Sequence, residues 1–488
     1  MPSATARAAL PIRPYPRRAP VEIPPAHQPQ TNRRLKHRPC TSYPENEDSY
    51  LQDLSFHPVQ QHVPSSYEAR PAKRPMPSPS QTIVVINSSG RQAASFIRVA
   101  SAVGYHVRAQ LRNLDGLVAN EISSLPNVKV VEGDLYSRRA SSAPPPLGGG
   151  HGNTGVNHAL ISDLFHGAQL AFINTTFWGD ETAIGKALAD AAAKAKIQHY
   201  IFSSMPDHSL HSPRNSREPW PSLPLWSSKA AISSHIESIP SLASKTTHLL
   251  TGIYNNNFTS LPYPLFRMEL QPDGSFMWEA PFHPHVKLPW LDAEHDVGPA
   301  VLQIFKDGVK KWGGQSMPLA YEMLSPVEAC EAFARGIGRK VTYRRRSKID
   351  VKVKIPSGYR EQLVALEAMY ALGKEDASKQ PPYFATQALE SRVPEQALAL
   401  WEGPRGLEEY AREVFPLEEA ANGLTWMNEG TEGEETEGID GELVGGEEEN
   451  EGSDGDDDDD DDDDDGLVMG GGTGGENTPA RREESWLA

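Results

Sequence analysis

Cysteine is nearly absent: the 488 residues hold two, Cys40 and Cys330. One lies in a proline-rich arm and the other in an apolar helical stretch. A disulfide framework is therefore not expected, and a reducing compartment fits. Long apolar runs are absent as well. No stretch approaches the ~18 apolar residues of a membrane span. The N-terminus has arginines and prolines but no apolar core, so no secretory signal is expected. Hydrophobic residues make up only 38% of the chain and prolines number 42, which predicts that part of it does not fold.

The middle of the chain lacks net charge. Residues 81–428 hold 34 acids and 34 bases, which gives no electrostatic reason for direct nucleic-acid binding. The ends differ. Residues 1–80 carry 11 bases and 6 acids, a net of +5, whereas 429–488 carry 25 acids and 2 bases, a net of −23. The first 80 residues, dense in Pro, Gln, Ser and Arg, show no periodicity and read as a disordered basic arm. Their cluster Arg33-Arg34-Leu35-Lys36-His37-Arg38 suits either a nuclear address or a solvated charge cluster. From 429 onward, Gly, Glu and Asp dominate, with ten consecutive aspartates at 456–465. Such a block repels itself and reads as a disordered acidic tail.

At Gln81 the texture changes. Thr82–Ile86 is a continuous β-branched run, the mark of a strand buried on both faces. Further strands are expected at His106–Gln110, Val128–Val131, Leu170–Ile173, Tyr200–Ser203 and His248–Gly252. Helical patterns separate them at Arg91–Val103, Gly116–Leu125, His158–Phe165 and Glu181–Ala195, with Gly104 placed to end the first. This alternation predicts an α/β fold with a Rossmann-type doubly wound parallel sheet over 81–260. Tyr136–Asn157 and Asp207–Pro224 read as loops. Residues 261–428 read as a smaller α/β domain, with helices near Val297–Phe305 and Pro326–Gly336 and a strand at Val351–Ile355.

The first turn reads Asn87-Ser88-Ser89-Gly90-Arg91-Gln92-Ala93. Against a G-x-x-G-x-x-G pattern only Gly90 survives. Asn87 tolerates the left-handed backbone of a first glycine, and Ala93 is small enough to keep helix and strand close. By spacing alone, an ordinary strand-turn-helix explains it equally well. The longer string Thr-Ile-Val-Val-Ile-Asn-Ser-Ser-Gly-Arg-Gln-Ala-Ala-Ser closely resembles the NmrA-like family, fungal regulators of nitrogen metabolite repression. The match continues through Ala171–Thr176, Gln198–His208, Gly252–Thr259 and Leu288–Gly298. The arm, the 136–157 insert and the acidic tail depart from the family's compact pattern.

The resemblance implies a fold akin to extended short-chain dehydrogenases, with NAD or NADP bound in oxidised form and not turned over. It implies a nuclear and cytoplasmic regulator whose partner is a GATA-type zinc-finger activator of nitrogen catabolic genes. It also implies site residues. Asn87, Ser88, Ser89, Gly90, Arg91 and Gln92 stand where the family's turn meets the pyrophosphate and ribose phosphate. Arg112 and Asn113, followed by Leu114 and Asp115, stand where the adenosine ribose is read. Asp134 and Leu135 follow the third strand, near the adenine. Asn174, Thr175 and Thr176 end the fourth. Lys229 can reach the nicotinamide ribose, and Tyr254, Asn255, Asn256 and Asn257 resemble the nicotinamide-side loop. Gln198 completes the set. Bland alternatives stand beside these: Asn174 and Thr175 as helix caps, Asp134 as a turn former, Lys229 as a solvated helix charge.

Two absences sharpen the reading. No acid follows the second strand until Asp115, so nothing there repels a 2′-phosphate, and Arg112 offers a fork of donors to hold one. Short-chain dehydrogenases need a tyrosine four residues before the active-site lysine, and here that position is Leu225. The expectation is a binder without catalysis; an active NAD(P)-dependent reductase is the rival, and a basic-protein binder driven by the tail is a third reading. His283, His285 and His295 lie near Asp292, Glu294 and Asp296, but their spacing fits no helical zinc pattern and no metal is expected.

Overall fold

A computed structural model of the chain describes residues 80–138, 154–177, 180–214, 219–353, 355 and 357–424. The basic arm, Cys40, the acidic tail and the centre of the 136–157 insert lie outside the described residues.

The first half alternates as expected: β1 (Thr82–Val85), α1 (Arg91–Ala102), β2 (His106–Leu111), α2 (Leu117–Ser124) and β3 (Val128–Glu132). The insert is not simply a loop. Its ends pair as a two-stranded antiparallel ladder, β4 (Tyr136–Arg138) with β5 (Thr154–Val156). There follow α3 (His158–Phe165), β6 (Leu170–Ile173), α4 (Glu181–Lys194), β7 (His199–Ser204), α5 (Pro224–Ser238), α6 (Pro240–Ala243) and β8 (Thr246–Thr251). Gly104 takes φ 92° just past α1, the conformation that glycine adopts without strain.

The second half holds β9 (Ile253–Tyr254), β10 (Met268–Leu270), β11 (Phe276–Ala280), β12 (Leu288–Leu291), α7 (Ala293–Asp307), α8 (Val309–Trp312), β13 (Gln315–Leu319), β14 (Glu322–Leu324), α9 (Pro326–Ile337) and β15 (Val341–Arg345). Five helices close the described chain: α10 (Ser357–Ala371), α11 (Gln387–Glu390), α12 (Glu395–Leu398), α13 (Leu407–Glu413) and α14 (Phe415–Ala421).

The main sheet has seven strands in the order β13-β8-β7-β6-β1-β2-β3, and every neighbouring pair is parallel. β1 shows why a continuous apolar run suits its centre. Ile83 and Val85 pack into the core under α1 and α7, whereas Val84 and Ile86 pack into the opposite core under α3, α4 and α5. The chain winds outward through β2 and β3, then returns to place β6 against the other side of β1. That reversal opens a crevice at the carboxyl ends of β1 and β6, where such sheets bind ligands.

The expected boundary at 260 does not divide the fold. β13 returns to the main sheet as its edge strand, parallel to β8. α7 packs on α1 so closely that a Cβ on Gly298 would sit 2.4 Å from the Ser95 carbonyl oxygen; instead the Gly298 N–H donates to Ser95 Oγ at 2.9 Å. The remaining strands form two three-stranded sheets, β10-β11-β15 and β14-β12-β9, around an aromatic core that includes Phe258, Trp278, Trp290 and Phe333. Val351–Ile355 is not a strand; the strand lies earlier, at β15, parallel to β11. Val351 and Ile355 pack on the aromatic core with no neighbouring ladder, so their alternation reflects one-sided burial alone. Cys330 is buried and free on α9.

Candidate functional site

Asn87 leaves β1 with φ 49°, the left-handed turn its residue type allows. Its N–H donates to Gln110 Oε1 at 2.9 Å, and its Nδ2 donates to the Asn174 carbonyl at 2.6 Å. One residue, through its backbone N–H and its side-chain amide, thus ties the ends of β1, β2 and β6 together across the crevice. Ser88 is buried, its N–H on the Gln110 carbonyl and its hydroxyl on the Val85 carbonyl. Gly90 is the N-cap of α1 and brings no capping side chain, and the first turn holds no acid. A helix start left this way presents backbone N–H groups and a positive dipole end to an anion.

Two cavities run along this edge and share Asn87, Thr175 and Thr176. The larger, about 640 Å³ of space open to solvent, is lined by Gly90, Gln92, Asn174, Glu181, Lys229 and Tyr254, with an apolar wall of Phe177, Met205, Leu225 and Trp226. The smaller, about 340 Å³, is lined by Gln110, Arg112, Leu135, Tyr136 and Ile184. A charged-and-apolar end joined past a helix N-terminus to a second end is the shape a dinucleotide needs. Gln92 adds a sign of fit. It is 3% exposed, its Nε2 bonds the Tyr254 hydroxyl, and its buried Oε1 has no partner, an acceptor left for a ligand donor.

Lys229 is held from inside. Its Nζ donates to the Thr175 carbonyl at 2.6 Å and pairs with Glu181 Oε1 at 3.2 Å. Glu181 is 6% exposed and also accepts from Thr175 Oγ1 at 2.7 Å and from the Ser228 hydroxyl. Leu225 lies four residues before Lys229 on α5, 9% exposed, in the cavity wall. The sequence pointed to Lys229 but missed Glu181, Phe177, Met205 and Trp226. A carboxylate at the start of α4 that meets a lysine on α5 leaves no spacing signal, and apolar wall residues look like any core.

Several expected site residues are engaged or placed elsewhere. Arg91 lines the larger cavity but is 7% exposed, and its guanidinium pairs with Glu294 at 2.6 Å and Glu418 at 3.1 Å, so it also ties α1 to α7 and α14. Gln198 precedes β7, at the amino edge of the sheet, where its Oε1 accepts from Gln81; the crevice is at the opposite edge. Of the 254–257 loop only Tyr254 lines the cleft. Asn255 donates to the Arg405 carbonyl, and Asn256 Oδ1 accepts from the Ala293 N–H at 2.9 Å. Asn257 lines other pockets. Asn113, Leu114 and Asp115 are exposed beyond β2, whereas Ser89, Arg112 and Asp134 are half-buried and Leu135 is buried.

The histidine group forms separate hydrogen bonds. His295 Nδ1 meets Asp296 Oδ1 at 2.7 Å, and the His285 N–H donates to His283 Nδ1. Among the described residues no three potential metal ligands converge, and no helix is long and apolar enough to cross a membrane.

Residues 79–411 match the model of the NmrA-like family. The chain belongs to the NmrA-like family. Nitrogen metabolite repression protein nmr of Neurospora crassa is 59% identical over 432 residues, covering 87% of this chain and 84% of that protein. Nitrogen metabolite repression protein nmrA of Emericella nidulans is 48% identical, covering 72% of this chain and all of that protein. Crystal structures of Nmra, described as a negative transcriptional regulator, exist in complex with NAD and in complex with NADP. Each is 52% identical to this chain with TM-score 0.62, covering 71% of it and 99% of the solved chain.

Proposed function

We propose that this chain is a non-catalytic, NAD(P)-binding negative regulator of transcription that mediates nitrogen metabolite repression. It binds and restrains a GATA-type activator of nitrogen catabolic genes in nucleus and cytoplasm, and reads redox state through oxidised dinucleotide. The observation that carries this is the pairing of a dinucleotide-shaped cleft with leucine at the proton-donor position: Leu225 lines the cavity beside Lys229. The Asn87–Gln92 turn would hold the pyrophosphate, Arg112 the adenosine ribose, and Thr175 and Lys229 the nicotinamide side. A bound nicotinamide supplies a hydride acceptor or donor. A leucine supplies no proton, and Lys229 is committed to Glu181 and the Thr175 carbonyl.

The rival, an active reductase, would need another acid. Tyr254 is the nearest phenol in the cleft, but burial raises its pKa and its hydroxyl is engaged by Gln92. Calorimetric titration should find saturable binding of oxidised dinucleotides, and a carbonyl panel should show no reduction above buffer. Reduction that Lys229→Ala abolishes would refute the non-catalytic reading.

The folded core carries the specific contact with the activator, and the tail adds salt-sensitive attraction for a basic zinc-finger domain, fading above about 0.3 M salt. Deleting 429–488 should slow association more than it speeds dissociation. Loss of all binding in that deletion would move the contact to the tail.

A further inference from the structure

A second pocket shares Trp226 with the cleft. It spans about 450 Å³ of space open to solvent, between α5, α10 and residues of the 253–266 segment. Among the described residues that line it, six are aromatic, Phe266, Phe282, Tyr359 and Tyr370 among them, and none carries a charge at neutral pH. Such walls suit a ring. They disfavour an ion of either sign, because nothing in them answers its desolvation.

Two buried side chains say more about the occupant. Gln362 on α10 is fully buried, and its Oε1 accepts from the Leu225 N–H at 3.1 Å. That bond fixes which way the amide is turned, and its Nε2 is buried with no acceptor. Next to Leu225 stands Trp226, 4% exposed, whose indole Nε1 is buried with no acceptor as well. A buried donor left unmet costs free energy, and a ligand acceptor removes that cost. A carbonyl oxygen has two lone pairs and can take both donors. The Tyr370 hydroxyl, roughly two turns along α10 from Gln362, also lacks a partner. Burial raises its pKa, so it adds a third donor to the pocket and no anion.

We propose that this pocket binds a small neutral aromatic molecule bearing a carbonyl oxygen. The ring lies among the aromatic side chains, and the oxygen accepts from Gln362 Nε2 and Trp226 Nε1. Because Trp226 also walls the cleft beside Leu225 and Lys229, the site gives the chain a second small-molecule input next to the dinucleotide cleft. The proposal does not rest on dinucleotide binding.

The test is calorimetric or saturation-transfer titration of the full chain with acetophenone and with the larger coumarin. Three controls match acetophenone in shape. In α-methylstyrene a CH₂ group replaces the oxygen, benzoate is the anion, and benzamidinium is the cation. Acetophenone or coumarin should bind saturably, each control at least about tenfold more weakly. Gln362→Met keeps the length of the side chain and removes the donor, and it should weaken the carbonyl compound by a similar factor. Gln362 does not line the cleft, so that loss places the probe in this pocket. Should the variant fold poorly, Trp226→Phe removes the other donor and keeps an aromatic ring. Absence of saturable binding by both carbonyl compounds would mean that water alone meets these donors, and would overturn the proposal. Equal binding of any control, or unchanged binding in a folded variant, would overturn it too.

Discussion

The two ends of the cleft use their cations differently. At one end Lys229 is 12% exposed and locked between Glu181 and the Thr175 carbonyl. At the other, Arg112 is half-buried beside Leu135 and Tyr136 in the smaller cavity, past a strand with no acid at its end. The first cation is part of the scaffold. Its charge is answered by protein, in a wall otherwise made of Leu225, Trp226, Met205 and Phe177. The second lines the smaller cavity, and we propose for it the contact with a ribose phosphate. A charge inside a cavity therefore does not by itself mark a ligand contact.

The largest expected effect would break the scaffold end. Glu181→Ala leaves Lys229 in a largely buried position without its carboxylate, which should cost about 3 kcal/mol of stability. Urea unfolding measures this, and a loss under ~1 kcal/mol, the worth of a surface pair, would show that Lys229 is solvated.

Acid should act next, through two buried histidines of the main sheet. Burial pushes His199 on β7 and His248 on β8 down to about 4. Each is neutral when folded and protonates more readily when unfolded. Their contribution is full above the unfolded value near 6.5 and is lost as pH falls toward 4. Between pH 7 and 5 each should cost about 1–2 kcal/mol. His295 runs the other way, because its bond to Asp296 raises its pKa; its smaller contribution is present at low pH and lost as pH rises through the folded value. Chemical denaturation across this range checks the slope, which His199→Gln should flatten. A slope unchanged in that variant would place the titration elsewhere.

The smallest effect sharpens the adenosine end. Arg112→Ala should weaken NADP by about 1–2 kcal/mol and leave NAD nearly unchanged. Equal losses for both, or a native preference for NAD, would remove the phosphate-reading role.

Six strands of the main sheet were legible, the inner β1, β6, β7 and β8 because a strand buried on both faces writes its burial into consecutive residues, whereas β3 at the edge has no fully buried residue. The left-handed turn was legible in Asn87 for a similar reason, since the constraint sits within one residue. The chemical character at 225 and 112 could also be read locally, once a resemblance had fixed the frame. What escaped the sequence was held by partners far along the chain. β13 reads poorly as a strand, with Gln315 at its start and Pro318 inside it. It serves because an outer edge strand can do without an N–H on its open side, and only the assembled sheet makes it an edge. Arg91 stood in the dinucleotide motif, yet Glu294 and Glu418 claim its guanidinium. Asn256 stood in the same expected site and was drawn into a different pocket by the N–H of Ala293. Local pattern determines which way a backbone can run and which face is buried. The choice among distant partners for a charge or an amide belongs to the packed fold, because only there is each group's desolvation met by one particular neighbour.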